Sequence, residues 1–349
     1  MACTTSGRGI VGKYRSFRRE AISGTMLAGI PRKEPQVVRK QIIDYTAYLA
    51  VRILVCFVQA LPLGALKSLS ASLGWFSWHV LRLRRSTVEE NLRIAFPEKS
   101  QVERDGIALA MWRHLFLMVA EIAHAPRKLR RTNWRQYTTI ARMPEIVGRL
   151  IDKRPLVVIS GHLGNFELGG YMLALHGFPT HTIARPLDNV YLDHFVNQFR
   201  GRTGQFMLPK QGSGPEIAEL LDRGGTLILL GDQHAGAGGC WVNFFGKPAS
   251  THKAVAVFSL GSQAPTAVGA TLRGDKPLTI RMAIPEIVDP ADQAFALGTV
   301  PLFTEWYTKN LESMVRSVPD QYWWVHRRWK GEPTDRQTLR RNRLKQQAA

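Results

Sequence analysis

The stretch Leu156-Val157-Val158-Ile159-Ser160-Gly161-His162-Leu163-Gly164-Asn165-Phe166-Glu167 constrains this chain most. It opens on four apolar residues, three of them β-branched, which predict a short buried strand. Gly161 and Gly164 interrupt that strand and predict a tight turn. Asn165 is suited to N-cap a helix that runs from Phe166 to Leu175. So compact a strand–turn–helix unit belongs to an α/β sheet. It puts His162 at the carboxyl end of a strand, where open α/β sheets hold ligands and chemistry.

His162 and Glu167 are five positions apart, a rotation of about 500° on one continuous helix, so the two would not share a helical face. With His162 in the turn and Glu167 in the first helical turn, their side chains can meet. Glu167 would accept from one imidazole nitrogen and fix the tautomer, leaving the other nitrogen to take a proton from a hydroxyl. The alkoxide so formed could attack a carbonyl, which is acyl transfer without a covalent enzyme intermediate. The alternative is a partly buried histidine capping the sheet with Glu167 as structural partner. With 10 His and 27 acidic residues in 349, the bare spacing arises by chance about once. Its meaning therefore rests on the strand–turn–helix context.

At 45% hydrophobic residues the chain can bury a core, in one large or two modest domains. Cys3, Cys56 and Cys240 are odd in number and scattered without metal-binding spacing, which fits a reduced, cytoplasmic compartment. A net charge of +20 calls for an anionic partner. Zinc-finger spacing and RNP-like aromatic runs are missing, so nucleic acid is not expected. The cations cluster beside apolar stretches, which suits an anionic membrane surface.

Four regions follow in order. Residues 1–41 are a basic tail. Within it Gly7-Arg8-Gly9-Ile10-Val11-Gly12-Lys13 mimics a P-loop, but Tyr14 stands where Ser or Thr should bind magnesium and no strand precedes it. Residues 42–135 read as a helical, membrane-associated region. Its uncharged runs, Ile53 to Leu66 and Ser68 to Leu81, fall short of a spanning helix. Arg52 could snorkel and lengthen the first, and Trp75 and Trp78 suit a headgroup belt. One short spanning helix, two interfacial helices, or a helical layer of the core all fit. Ala108 to Ile122 predicts a long helix, followed by the acid-free run Arg127, Lys128, Arg130, Arg131 and Arg135.

Residues 136–330 alternate strand and helix. Strands are expected at Thr180–Ala184 and Thr226–Gly231, and a strand pair at Ala264–Leu272 and Leu278–Pro285. Helices are expected over Asp188–Phe199, Pro215–Arg223, His252–Gly261 and Val300–Val318. The fold class is therefore α/β, a mixed central sheet with flanking helices behind a helical N-terminal layer. Residues 331–349 form a basic C-terminal tail.

Further polar residues fall at strand ends. Arg185, after one strand and before Pro186, could bind a phosphate or an oxyanion, or make a surface ion pair. Asp232 ends another strand. If the strands are parallel it shares a sheet edge with His162, where it could orient a basic group, bind a hydroxyl or cap a loop. A zinc site from His162, Asp232 and His234 lacks a tight ligand cluster, and no G-x-S-x-G supports a serine nucleophile. The run Tyr322-Trp323-Trp324-Val325-His326-Arg327-Arg328-Trp329-Lys330 mixes aromatics with cations. It suits a lipid headgroup site, or a strand or helix that closes the core.

Ser160-Gly161-His162-Leu163-Gly164-Asn165-Phe166-Glu167 resembles the His-x4-Glu box of the bacterial lipid A late acyltransferases, the lauroyl/myristoyl type. Further stretches resemble that family in the right order. They are Leu61-Pro62-Leu63 through Asn91-Leu92-Arg93-Ile94-Ala95-Phe96-Pro97, then Ala184 to Asn189, then Gly231-Asp232-Gln233 with Phe244-Phe245-Gly246, and last Pro319 to Lys330. The resemblance implies a membrane-associated O-acyltransferase at the cytoplasmic face of the inner membrane. Its donor would be acyl-acyl carrier protein and its acceptor an anionic lipid A precursor, with no metal or organic cofactor. His162 would be the base and Glu167 its orienter. Arg185, Asp232, Gln233, Asn165, Arg327 and Arg328 would contact substrate. A related glycolipid acyltransferase, a thioester hydrolase with the same dyad, and a non-enzymatic membrane-binding protein are the alternatives.

Overall fold

A computed structural model describes residues 35–334 of the chain. The mimic of a P-loop, Cys3, most of the basic N-terminal tail and the end of the C-terminal tail lie outside the described residues.

Helix α1 (Pro35–Ala60) begins inside the stretch expected to be tail and runs without a break into the apolar region. The larger compact unit starts at Asp44, within this helix. By length and composition Val38–Ala60 could cross a membrane. From Asp44 onward α1 leaves Tyr45, Leu49, Ile53, Leu54 and Phe57 exposed, Ile53 by 70%. Arg52 is exposed on α1. Its guanidinium donates to the Tyr48 hydroxyl at 2.7 Å and lies over the Phe195 ring. After Pro62, α2 (Leu63–His79) buries Leu66 and Trp78 and exposes Leu69, Leu73, Trp75 and Phe76.

The short helix α3 (Arg85–Ala95) is followed by α4 (Gln101–Lys128). A reciprocal capping box starts α4. The Ser100 hydroxyl accepts from the Glu103 amide, and the Glu103 carboxylate accepts from the Ser100 amide. Although long and apolar, α4 buries Ala108, Met111, Leu117 and Ala120, as a core helix does.

Seven strands form one mixed sheet in the order β1-β9-β8-β2-β5-β3-β4. They are β1 (Thr138–Ile140), β2 (Leu156–Ser160), β3 (Thr180–Ala184), β4 (Gln205–Pro209), β5 (Thr226–Leu230), β8 (Thr266–Arg273) and β9 (Ile280–Val288). From β8 to β4 all neighbours are parallel, whereas β9 runs antiparallel to β8 and carries β1 alongside. The chain passes from β2 through α6 (Phe166–Leu175) to β3, and through α7 (Val190–Gly201) to β4. It returns through α8 (Gly214–Asp222) to insert β5 between β2 and β3, while α5 (Met143–Ile151) precedes β2 and α9 (Ala254–Gly261) precedes β8. That reversal opens a crevice at the carboxyl ends of β2 and β5.

Alternation on the strands divides the core. Val157, Ile159, Leu227, Leu229 and Val268 pack with Phe303, Tyr307, Leu311 and Met314 of α10 (Val300–Ser317). Leu168 and Met172 of α6 join Ala125 of α4 and Leu129, just past its end, in a second cluster. Each such side chain contributes about 1.5–3 kcal/mol on leaving water.

A hairpin of β6 (Cys240–Phe244) and β7 (Lys247–Thr251) stands apart from the sheet. Its two turn residues, Phe245 and Gly246, both have positive φ, as a tight right-twisting hairpin requires. Phe245 takes this unusual conformation because its amide donates to Glu312 at 2.6 Å and its ring packs on Trp324 and under Arg316. Past α10, a single 3-10 turn (Pro319–Gln321) leads into residues 322–334, which contain neither strand nor helix. The aromatic-cationic run therefore closes the core as irregular chain.

Candidate active site

The register of β2 on β5 builds the centre of the site. Ser160 lies opposite Leu230, so His162 and Asp232 each fall two residues past the last pair of adjacent parallel strands. The Asp232 carboxylate meets the turn at two points. It accepts from His162 Nδ1 at 2.9 Å and from the His162 backbone amide at 2.8 Å. An ionised carboxylate only accepts, so the ring carries its proton on Nδ1 and Nε2 is left basic. The side-chain amide of Gln233 donates to Nε2 at 3.1 Å.

Burial disfavours the charge on either partner, and each opposes that for the other. Burial pushes His162 down, but the Asp232 charge and hydrogen bond, with a smaller push from the Glu167 charge, raise it above the ordinary histidine value. Burial pushes Asp232 up. The His162 charge and bonds, with the Arg328 charge, outweigh that and hold the carboxyl at about 2. The imidazole is nearly enclosed, its side chain 14% exposed. Its ring meets Phe166 and Trp323, which stack on each other 5.8 Å apart.

Two spaces meet at this aromatic pair. Phe166 borders an apolar slot between the sheet and α6, floored by Val158, Ser160, Ile228 and Leu230. Trp323 borders an open groove of about 550 Å³, lined also by Arg84, Gln233, His234, His326, Arg327 and Lys330. One side of the histidine is oily and the other is basic.

Sequence comparison identifies the family. The profile of the bacterial lipid A biosynthesis acyltransferases matches residues 34–331. The chain belongs to that family. The lipid A biosynthesis lauroyltransferase of Escherichia coli K12 is 25% identical over 83% of this chain and 92% of its own length. The palmitoleoyltransferase of the same organism is 23% identical over 80% of this chain and 89% of its own. A solved 1-acyl-sn-glycerophosphate acyltransferase from Thermotoga maritima covers 74% of this chain and 98% of its own, at 11% identity and a TM-score of 0.36.

In this lipid A biosynthesis acyltransferase, several residues stand elsewhere than their spacing suggested. Glu167, expected to orient His162, makes no hydrogen bond to it among the described residues and reaches it only through its charge. Its carboxylate takes a two-pronged bond from Arg200 of α7, at 2.6 and 3.0 Å, while its neighbour Phe166 is the residue of that turn that meets the His162 ring. Asn165 does not face substrate. It is fully buried, its carbonyl accepting from the Leu168 amide to cap α6 and its NH₂ donating to Glu121. Arg328 is 2% exposed and spends two nitrogens on the Ser250 carbonyl and the Thr251 hydroxyl, so it meets no headgroup. It acts instead as a buried charge facing Asp232. Arg185 has a side chain 78% exposed and pairs with Asp188 at 3.6 Å; no hydrogen bond or ion pair among the described residues ties it to His162. Asp232, Gln233 and Arg327 do line the site. His234 joins it through the groove and through its amide, which donates to His326 Nε2.

The buried His114 and Glu121 of this acyltransferase, and the half-buried Arg273 between them, escaped sequence reasoning. A signal for one of them was present. Glu121 is a lone acid in the apolar run Leu115-Phe116-Leu117-Met118-Val119-Ala120-Glu121-Ile122-Ala123. A carboxylate inside a core helix needs a cationic partner.

Proposed function

We propose that this lipid A biosynthesis acyltransferase moves a fatty acyl group from acyl-acyl carrier protein to a hydroxyl of a lipid A precursor, with His162 as general base and Asp232 as its orienter. The observation that carries the reading is the Asp232–His162 pair, whose Nε2 meets Gln233 of the basic groove while the ring packs on Phe166 of the apolar slot. The acyl chain enters the slot past Phe166. The phosphorylated sugar lies in the groove beside Arg84, Arg327 and Lys330, and its hydroxyl replaces the Gln233 amide at Nε2. That hydroxyl gives its proton to Nε2 as its oxygen bonds to the thioester carbonyl. Asp232 stabilises the imidazolium through Nδ1, and the freed Gln233 amide is placed to donate to the oxyanion. Collapse breaks the carbon–sulfur bond, and the imidazolium returns the proton to the leaving thiolate. The exposed apolar face of α1 and α2 holds the enzyme at the inner membrane, on the cytoplasmic side where a carrier-protein donor is met.

Mass spectrometry of the lipid tests the reading. Purified enzyme with acyl-acyl carrier protein and a lipid A precursor should add the mass of one acyl group to the lipid and release the carrier thiol in equal amount. Thiol release at the same rate without lipid would make the protein a thioester hydrolase.

A further inference from the structure

Behind the turn that carries His162 lies a largely buried ion pair. Glu121 of α4 has a side chain 2% exposed and Arg273, at the end of β8, one 12% exposed. Arg273 Nε donates to Glu121 Oε1 at 3.0 Å and Nη2 to Oε2 at 3.2 Å. A pair of this kind adds little net stability, because the cost of desolvating both charges offsets their attraction. What sets it apart is where the remaining bonds go.

Glu121 Oε2 accepts from the Asn165 side chain at 2.9 Å. Arg273 Nη1 donates to His114 Nδ1 at 2.7 Å. A guanidinium only donates, so His114 Nδ1 accepts and its proton sits on Nε2. Nε2–H then donates to the Gly164 carbonyl at 3.2 Å. Burial, with the Arg273 charge, pushes His114 down to about 3, so this ring stays neutral and keeps that tautomer at working pH. The backbone of Arg273 continues the grip. Its amide donates to Gln321 Oε1, while the Gln321 carbonyl accepts from the Gly164 amide. Gly164 itself has φ +66°, and a Cβ there would lie 2.0 Å from the Thr271 carbonyl oxygen, so the turn is seated against β8.

We propose that Glu121 and Arg273 are positioning residues for His162: the pair clamps Asn165 directly and Gly164 through His114, and so fixes the turn that presents the base. This rests on the reading of His162 as general base. Positioning matters at this scale because a shift of about 1 Å at a reacting group can cost about 10²-fold in rate.

The test uses the full-length enzyme with acyl-acyl carrier protein and a lipid A precursor, and three variants: Glu121→Gln, Glu121→Leu/Arg273→Met, and His162→Ala. The double variant removes both charges together, which spares the fold the unpaired charge left by the single change. Folding is checked by thermal melting. Folded Glu121→Gln and the folded double variant should each lose about 10- to 100-fold in kcat with KM for the donor within about twofold. The acid limb of their kcat–pH profiles should move to lower pH, as a loosened His162 loses the Asp232 contact that raises it. Asp232, Glu167, Arg328 and His326 are the charged and titratable groups around that ring, and none of them is altered. A folded double variant with wild-type kcat and an unmoved acid limb overturns the proposal. If neither variant folds, the pair is a stability element and the proposal also fails. His162→Ala separates the two claims. If it stays active, the base assignment has failed; if it is dead while the Glu121 variants stay active, only the clamp has.

Discussion

The turn that carries His162 and the α1–α2 layer violate ordinary polarity in opposite directions. Around His162 the protein buries what is normally exposed: Asp232, Glu121, Arg273, Asn165 and Arg328 are all enclosed and paired. In α1 and α2 it exposes what is normally buried: Ile53, Leu54, Phe57, Leu69, Trp75 and Phe76. Buried polar networks hold geometry, since an unpaired member costs its full desolvation. A contiguous exposed apolar face marks a surface made for another apolar body. The first region is shaped for a reaction and the second for an environment, so the two should fail separately.

The largest effect expected is on the turn. His162→Ala should lower transfer by about 10²- to 10⁴-fold, measured as acylated lipid formed per folded enzyme. Asp232→Ala should approach the same value, and the double variant should be little worse, because the pair works as a unit. Membrane attachment should be unchanged in all three, and its loss would break the separation of the two regions.

Next comes the layer. Ile53→Glu with Phe57→Glu should lower partition onto anionic vesicles by at least about tenfold per residue, since each apolar side chain contributes about 1.5–3 kcal/mol on burial. Flotation measures the partition. A short soluble thioester should still be consumed at the wild-type kcat, and a fall in that rate would show that the layer also shapes the site.

Glu167→Gln should cost less than Asp232→Asn, about tenfold, because Glu167 reaches His162 only through its charge and is held by Arg200. A larger loss than for Asp232→Asn in the same assay would return Glu167 to the orienting role expected from sequence.

The smallest effect is on stability against pH. Asp232 titrates at about 2 in the folded protein and near 3.9 when unfolded. Its contribution is therefore present above about pH 4 and lost as pH falls through 2. Denaturant unfolding should show the gap between wild type and Asp232→Asn narrowing over that window. A gap that stays constant would mean Asp232 is not charged where it lies.

Much of the frame could be read from pattern. β2, β3 and α10 follow from clean runs of β-branched or amphipathic residues, and their ends fall within a residue or two of expectation. β1 has three residues, and β4 alternates weakly through Gln205 and Pro209, so neither gave a period to read. The sharing of one sheet edge by His162 and Asp232 was legible once the strands were taken as parallel. Which carboxylate would reach the ring was not. Spacing along the chain favoured Glu167, whereas strand adjacency, a property of the folded sheet, favours Asp232. Asn165 and Arg328 were misplaced for a related reason: residue type says that a group can bind a ligand, and only burial says that it is already bound.

The seating of the turn also has a consequence in time. The His162 carbonyl accepts from the Trp323 amide, Gly164 donates to Gln321, and Asn91 of α3 reaches the carbonyls of Trp324 and His326. During synthesis the box around His162 leaves the ribosome long before residues 321–326 do. Until that segment arrives, the nascent chain carries the complete motif with two of the turn's backbone partners still missing. The turn therefore gains these two partners only once residues 321–323 have been made, after α1 has long been free to meet a bilayer.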